Sequence, residues 1–358
     1  VSLYAVAVHV VLADPPSFTP PYDHELASAL ARTGTAVDLV TSSFRFGTRP
    51  TPTGYRLREV FYPWSAHIDR RPLRLGVRAL EHPLGMARLL ASRRDVLHLQ
   101  WLAAPELDAL LLRTRGPLVF TAHDLLPRRT AHRARLWRRL FGRFDRIVVH
   151  SERGRATLEE LGVAARRLTV VPHPVFASDP PRRDDGSTVL ALGVIRPYKG
   201  LPDAVEAVRR VAGSRLLVAG DPRVPLDALI AEAGARVEWR LGYLDAAELG
   251  RALSDATVAI FPYRPELDQS GALLQALGAG LPAVVYDVGG LGEVVGRFGA
   301  GAVVPPGDVA RLADAVERLL GDRAALEAAR AGAARARAEL TWDAAAAAHL
   351  ELYRELVA

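Results

Sequence analysis

Position 199 holds the single lysine of the chain; the other 45 of its 46 basic residues are arginine. Base composition explains a bias that strong, so the exception draws attention to a place suited to a compact, rotatable ammonium rather than a planar fork. Lys199 closes the segment Gly193-Val194-Ile195-Arg196-Pro197-Tyr198-Lys199-Gly200. Two cations three residues apart, framed by glycines, let backbone and charge both approach an anion such as a diphosphate. The glycine and hydroxyl spacing is not that of a Walker loop. The bland alternative is a solvated turn, against which the unique lysine weighs.

A second segment has the grammar of an anion site. Gln269-Ser270-Gly271-Ala272-Leu273-Leu274-Gln275 runs on through Gly280: a small-residue start, an apolar helical stretch and a glycine stop. The first amides of such a helix have no internal partners, and the helix dipole favours negative charge there. Ser270 can cap it or add a donor. Glu266 and Asp268 are carboxylates on the loop leading in from Phe261-Pro262-Tyr263. Alone, a capped helix is far more often structural.

These loops need elements to hold them. At 358 residues two domains are expected. With 49% hydrophobic and 24% charged residues, the chain is of ordinary globular composition, not disordered or fibrous. It has no run apolar enough to span a bilayer. Val1–Ala13 carries no basic flank and reads as a strand, not a signal peptide. With no cysteine, disulfides, thiolate nucleophiles and thiolate metal sites are excluded.

Continuous apolar runs predict strands at Tyr4–Leu12, Ala36–Thr41, Val96–Leu99, Leu118–Thr121, Ile147–His150 and Leu168–Val171. A second series is predicted at Val189–Leu192, Leu216–Ala219, Val237–Leu241, Val258–Phe261, Ala283–Tyr286 and Ala302–Val304. Helical patterns separate them, as expected of parallel sheets covered on both faces. The fold class is α/β, with two doubly wound Rossmann-like domains facing a cleft. The expected boundaries are 1–174, a Pro-rich linker at 175–186, 187–340, and a final helix over 341–358 returning to the first domain. Residues 324–338, rich in Ala and Arg, read as exposed helix. In doubly wound sheets ligands bind beyond the carboxyl ends of strands, where both segments above fall.

Together, Gly193–Gly200 and Phe261–Val294, the latter with Ala279-Gly280-Leu281-Pro282 and Asp287-Val288-Gly289-Gly290, resemble the retaining glycosyltransferases of family four, which have the GT-B fold. Val96-Leu97-His98-Leu99-Gln100-Trp101, Thr121-Ala122-His123-Asp124, His150-Ser151 and Pro172-His173 resemble acceptor-domain segments of that family. The resemblance implies that Arg196 and Lys199 hold the donor diphosphate as it departs. It implies that the amides of Ser270, Gly271, Ala272 and Leu273 bind the distal phosphate, with Gly193 alongside. His123 would face the donor sugar and Tyr243 the nucleotide base, while Tyr22, Asp23 and Asp124 would lie on the acceptor side. His98, His150 and His173 read as structural.

Three departures stand out. The family's inner glutamate is Gln275 here. Its outer one falls on Leu267, leaving either Glu266 or Asp268 to meet the sugar. The glycine-rich loop after the first strand is replaced by Pro15–Asp23.

The function implied is retaining, metal-independent sugar transfer from a UDP- or GDP-sugar to a hydroxyl of a glycan, lipid-linked or small-molecule acceptor. No cofactor beyond that co-substrate is expected. A GT-B epimerase and a silent nucleotide-sugar binder are the alternatives. A nicotinamide dehydrogenase fails for want of Gly-x-Gly-x-x-Gly after the first strand. High pI alone suggests nucleic acid, and no motif supports it.

Charge is divided unevenly. Residues 1–175 carry 26 Arg against 15 acidic residues, a net of +11, and the remainder is −5. Arg128–Arg155 alone is +8. With Leu136, Leu140, Phe141 and Phe144 near one stripe and Trp137 beside them, it reads either as an ordinary helix or as a contact for anionic lipid or a phosphorylated acceptor. The location expected is the cytoplasm, with the inner face of the plasma membrane as the peripheral variant.

Overall fold

The computed structural model describes residues 8–45, 47–127, 129–264 and 269–358. They form two compact units. One holds the chain up to Pro172 together with Trp342–Ala358, and the other is His173–Thr341.

The first unit is built on seven parallel strands: β1 His9–Asp14, β2 Ala36–Ser42, β3 Arg56–Phe61, β4 Val96–Leu99, β5 Leu118–Thr121, β6 Arg146–Val149 and β7 Leu168–Val170. Their order is β3-β2-β1-β4-β5-β6-β7. Leu12 lies opposite Leu39 on β2 and His98 on β4. The second unit has six: β8 Thr188–Leu192, β9 Arg215–Gly220, β10 Val237–Leu241, β11 Val258–Phe261, β12 Ala283–Tyr286 and β13 Gly301–Val304. Their order is β10-β9-β8-β11-β12-β13. Both sheets reverse direction in order beside their first strand, between β1 and β4 and between β8 and β11. That is where a doubly wound sheet opens a crevice.

Strand residues alternate between two cores, which is why their sequences read as unbroken apolar runs. In the second unit Leu190, Leu217, Ala259 and Val285 enter one core, and Val189, Leu216, Val258 and Val284 the other. In the first unit Val11, Leu97, Leu99 and Phe120 pack with Met86, Leu89, Ala109, Trp137, Leu140 and Phe141 from three helices, Arg71–Leu90, Pro105–Leu111 and Ala134–Phe141. Right-handed crossovers put these three helices side by side on one face of the sheet. Helix Pro20–Arg32 takes the opposite face, where helix Trp342–Val357 packs against it.

The structure revises several expectations. Only part of the predicted Tyr4–Leu12 strand lies among the described residues, and the observed β1 runs on to Asp14, a carboxylate that is itself buried. Strand β3 and helix Arg71–Leu90 are additional elements. β3 is an edge strand and half exposed, so it has no continuous apolar signal. The helix contains Pro83 and carries leucines on its solvent side, which hides its period. Its Gly85 is required by packing: a Cβ there would lie 2.4 Å from the Phe61 ring.

Residues 175–186, expected as a linker, lie along the second unit. Val175 N–H donates to Leu340 O at 2.9 Å and Arg183 N–H to Ser254 O at 3.0 Å. Prolines deny this stretch regular structure without denying it partners. Helix Arg323–Glu339, expected to be exposed, buries Leu326, Ala329, Gly332, Ala333 and Ala336. Its small residues permit close approach; a Cβ on Gly332 would sit 2.2 Å from Gly299 O.

Candidate functional site

The cationic segment leaves the carboxyl end of β8. Gly193 turns the chain with φ +104°, a short 3-10 turn spans Pro197–Lys199, and Gly200, at φ +64°, starts helix Leu201–Arg210. Both glycines are obligatory in conformation. Gly200 is obligatory in space as well, since a Cβ would fall 1.9 Å from Pro262 O on the loop after β11.

That approach brings the two segments together. A Cβ on Gly193 would lie 3.1 Å from Ala272 Cβ and 3.3 Å from Lys199 Nζ. The ammonium therefore stands between the first loop and the start of helix Gly271–Gly278. It donates to the Tyr263 hydroxyl at 2.6 Å. The Tyr263 hydroxyl is 3.0 Å from Ser270 Oγ, which accepts the Leu273 amide at 3.3 Å and so caps the helix. Burial pushes the Tyr263 phenol up, keeping its proton for Ser270. Gly271 and Ala272 are at the first turn, where amides point outward along the helix axis. Arg196 is exposed, and no described acidic side chain pairs with it. The whole forms a concentrated positive site suited to a di-anionic group.

Gln275 is one turn into the same helix and partly exposed. Glu266 and Asp268 lie outside the described residues. Tyr243 follows β10 and is 58% exposed, at the sheet edge, two strands away from β8. Gly193, Ala272, Tyr263 and Ser270 gather around Lys199; Tyr243 stands apart, in a groove lined also by Trp239, Arg240, Glu248 and Arg251.

The first unit gathers a different cluster at the carboxyl ends of its strands. His123 follows β5, Gln100 follows β4 and His150 follows β6. His123 Nε2 is 3.0 Å from Gln100 Oε1, and its Nδ1 is 3.3 Å from His150 Nε2. His150 Nδ1 lies 2.9 Å from Val171 O. A carbonyl can only accept, so His150 carries its proton on Nδ1 and accepts at Nε2. A neutral His150 then accepts the hydrogen bond from His123 Nδ1, and Gln100 faces Nε2, so both ring nitrogens of His123 have protein partners. The ring stacks on Trp101 at 5.2 Å and meets Tyr22 edge-on at 4.5 Å.

Tyr22 and Asp23 are not on an open loop: they occupy the first turn of helix Pro20–Arg32 and are both 2% exposed. Tyr22 backs the His123 ring, and Asp23 faces Asp14. Burial and the Asp14 charge hold the Asp23 carboxyl well above the usual range, so it donates to Asp14. Asp14 Oδ2 also accepts the Thr19 amide at 3.1 Å. Asp124 is exposed.

His98 and His173 are buried and satisfied. His98 bridges Tyr353 and Thr121 at 2.6 and 2.7 Å, and His173 Nδ1 bonds Pro174 O at 2.7 Å. His150, read as structural, proves to be the direct partner of His123. Tyr263, Gln100 and Trp101 are further members that sequence reasoning did not single out. Trp101 and Tyr263 could have been sought as aromatics at strand ends.

The apolar stripe of Arg128–Arg155 is core. Trp137 is fully buried and donates to Thr130 O at 3.1 Å, so it is no surface aromatic. Among the described residues no helix is long and apolar enough to cross a membrane.

Two doubly wound sheets, one bearing a cationic loop against a capped helix start, define a transferase that handles anionic donors. The family models "Glycosyl transferases group 1" and "Glycosyltransferase Family 4" match residues 186–322 and 22–178. Glycogen synthase of Mycobacterium tuberculosis is 29% identical, across 96% of this chain and 86% of its own. Phosphatidyl-myo-inositol mannosyltransferase of Mycobacterium leprae is 30% identical, across 72% and 73%. The sucrose-phosphate synthase structure from Thermosynechococcus elongatus superposes with a TM-score of 0.78 at 22% identity, covering 98% of this chain and 99% of its own, which shows the GT-B fold. The chain belongs to glycosyltransferase family 4 and is a glycosyltransferase enzyme.

Proposed function

We propose that the protein transfers a hexose from a UDP- or GDP-sugar to an acceptor hydroxyl with retention of anomeric configuration and without a metal ion. The observation that carries this reading is the meeting of Lys199, Gly193 and the start of helix Gly271–Gly278 at one point. The diphosphate lies there. As the bond between the sugar's anomeric carbon and the phosphate oxygen breaks, its electron pair stays on that oxygen. Lys199, Arg196 and the Gly271 and Ala272 amides stabilise the charge. The acceptor oxygen attacks from the same face, and its proton passes to the departing phosphate oxygen. The products are a glycoside and a nucleoside diphosphate. Tyr263 holds the ammonium in place, and Gln275 bonds the ribose hydroxyls as a neutral amide. His123, held through Nδ1 by His150, orients the sugar by exchanging its Gln100 partner at Nε2 for a sugar hydroxyl. The acceptor is a glycan, a lipid-linked sugar or a small molecule.

Thermal shifts with UDP, GDP and ADP identify the base, because a ligand that binds the folded state raises its melting temperature by mass action. Turnover of the matching sugar donor in excess EDTA then tests the chemistry, with anomeric configuration read by NMR. Transfer abolished by EDTA and restored by a divalent cation overturns metal independence, and an inverted product overturns retention.

A further inference from the structure

Helix Arg71–Leu90 turns the wrong residues outward. Glu81, His82, Gly85, Met86 and Leu89 face inward, while Leu73, Leu80 and Leu84 lie on the opposite side, 57%, 76% and 52% exposed. Spacings of seven and four residues put the three in one row along the helix. Its neighbour Pro105–Leu111 adds Leu110, 54% exposed. A surface helix normally keeps polar residues there, and a contiguous apolar row marks a contact.

The next helix in the layer supplies the complementary charge. Arg135, Arg138 and Arg139 on Ala134–Phe141 are exposed, and no described acidic side chain pairs with them. Arg129 and Arg133 nearby are instead held by Glu106 at 3.0 Å. All three helices share one core, so their outer sides form one surface of the first unit.

We propose that this surface docks on an anionic lipid bilayer, with the leucines entering the acyl boundary and the free arginines resting on the headgroups. An apolar row on the outer side of a helix, beside unpaired cations, fits a fluid negative surface. The same sum of charge and leucine burial makes the contact sensitive to salt and to lipid composition.

Co-sedimentation of the whole chain with phosphatidylcholine vesicles, with and without about a third phosphatidylglycerol, tests this without any sugar donor. Failure of sugar transfer would therefore leave the outcome untouched. The expected result is pelleting with anionic vesicles only, largely reversed by added salt. Leu80→Ser with Leu84→Ser, and separately Arg135→Gln with Arg138→Gln and Arg139→Gln, should each lower the bound fraction several-fold while leaving the melting temperature unchanged. Equal binding by these variants and the parent protein overturns the assignment, as does parent protein that ignores anionic vesicles. Dimerisation in solution lost in the leucine variants, without vesicle binding, would overturn it in favour of a second copy of the chain.

Discussion

The two units solve the same topological problem with different materials. In the second, the candidate site is built on backbone: two glycines at positive φ, a helix start and one lysine pinned by Tyr263. In the first, the candidate cluster is made of side chains, with His123, His150 and Gln100 at strand ends, Tyr22 behind the His123 ring and Asp23 turned onto Asp14 from the start of a helix. A site made of amides and cations can hold an anion of almost any origin. A site made of aromatic and imidazole rings is shaped for one kind of partner. Under the proposed function the first of these sites holds the donor diphosphate and the second the sugar, and mutations should separate the two.

The largest effect is expected at the backbone site. Lys199→Ala should lower transfer by about 10²–10³ at saturating donor, with the melting temperature unchanged. Full turnover would remove the diphosphate role. His123→Ala should cost roughly ten- to a hundredfold in kcat while nucleotide affinity, read by calorimetry, stays constant. A protein that no longer folds would instead make the ring structural. Tyr263→Phe should cost about tenfold, because the lysine keeps its charge but loses its anchor. Restored activity in that variant at higher donor concentration would mean that the hydroxyl serves binding alone.

Stability should divide along the same line. Tyr353→Phe removes the partner of a buried imidazole in the first unit and should cost about 1–3 kcal/mol in denaturant unfolding, without altering nucleotide binding to the second. The smallest effect expected is one of pH. Burial holds His98 well below its usual range and takes His349 down to about 4. Each stabilises above about pH 6.5 and loses that contribution as pH falls towards its folded value. Asp23 is shifted the other way: its folded value is raised, so its contribution is lost as pH rises from about 3.8 through that value. Asp23→Asn should therefore melt higher than the parent at pH 7 and no higher at pH 4. A gain of the same size at both values would show that Asp23 is ionised in the fold.

Much of this is legible in the sequence. Strands buried on both faces leave unbroken apolar runs, and β4, β5, β10, β11 and β12 fall where those runs lie. Lys199 stood out because it had no competitor in composition. The family and the α/β architecture followed from short motifs at strand ends. What stayed hidden depends on tertiary packing. Nothing local says that His150 would meet His123, or that Asp23 would turn inward onto Asp14. Edge strand β3 buries too little to show a pattern. Helix Arg71–Leu90 was masked by the solvent-facing leucines that make it interesting. Trp137 illustrates the converse error: an aromatic among arginines looks like a surface residue, yet its indole fills the core.

The return of helix Trp342–Val357 to the first unit has a consequence for how the protein is made. That helix supplies Trp342, 5.1 Å from the Tyr22 ring, and Tyr353 to His98. Until residues 342–357 leave the ribosome, the sheet face around His98 lacks part of its cover, although its seven strands were synthesised long before. The second unit, contiguous from His173 to Thr341, has all its parts earlier. Order of synthesis and order of completion are thus reversed: the half begun first is finished last, and a chain cut short after Thr341 would carry a second unit with all its elements tethered to a first unit that lacks its last helix.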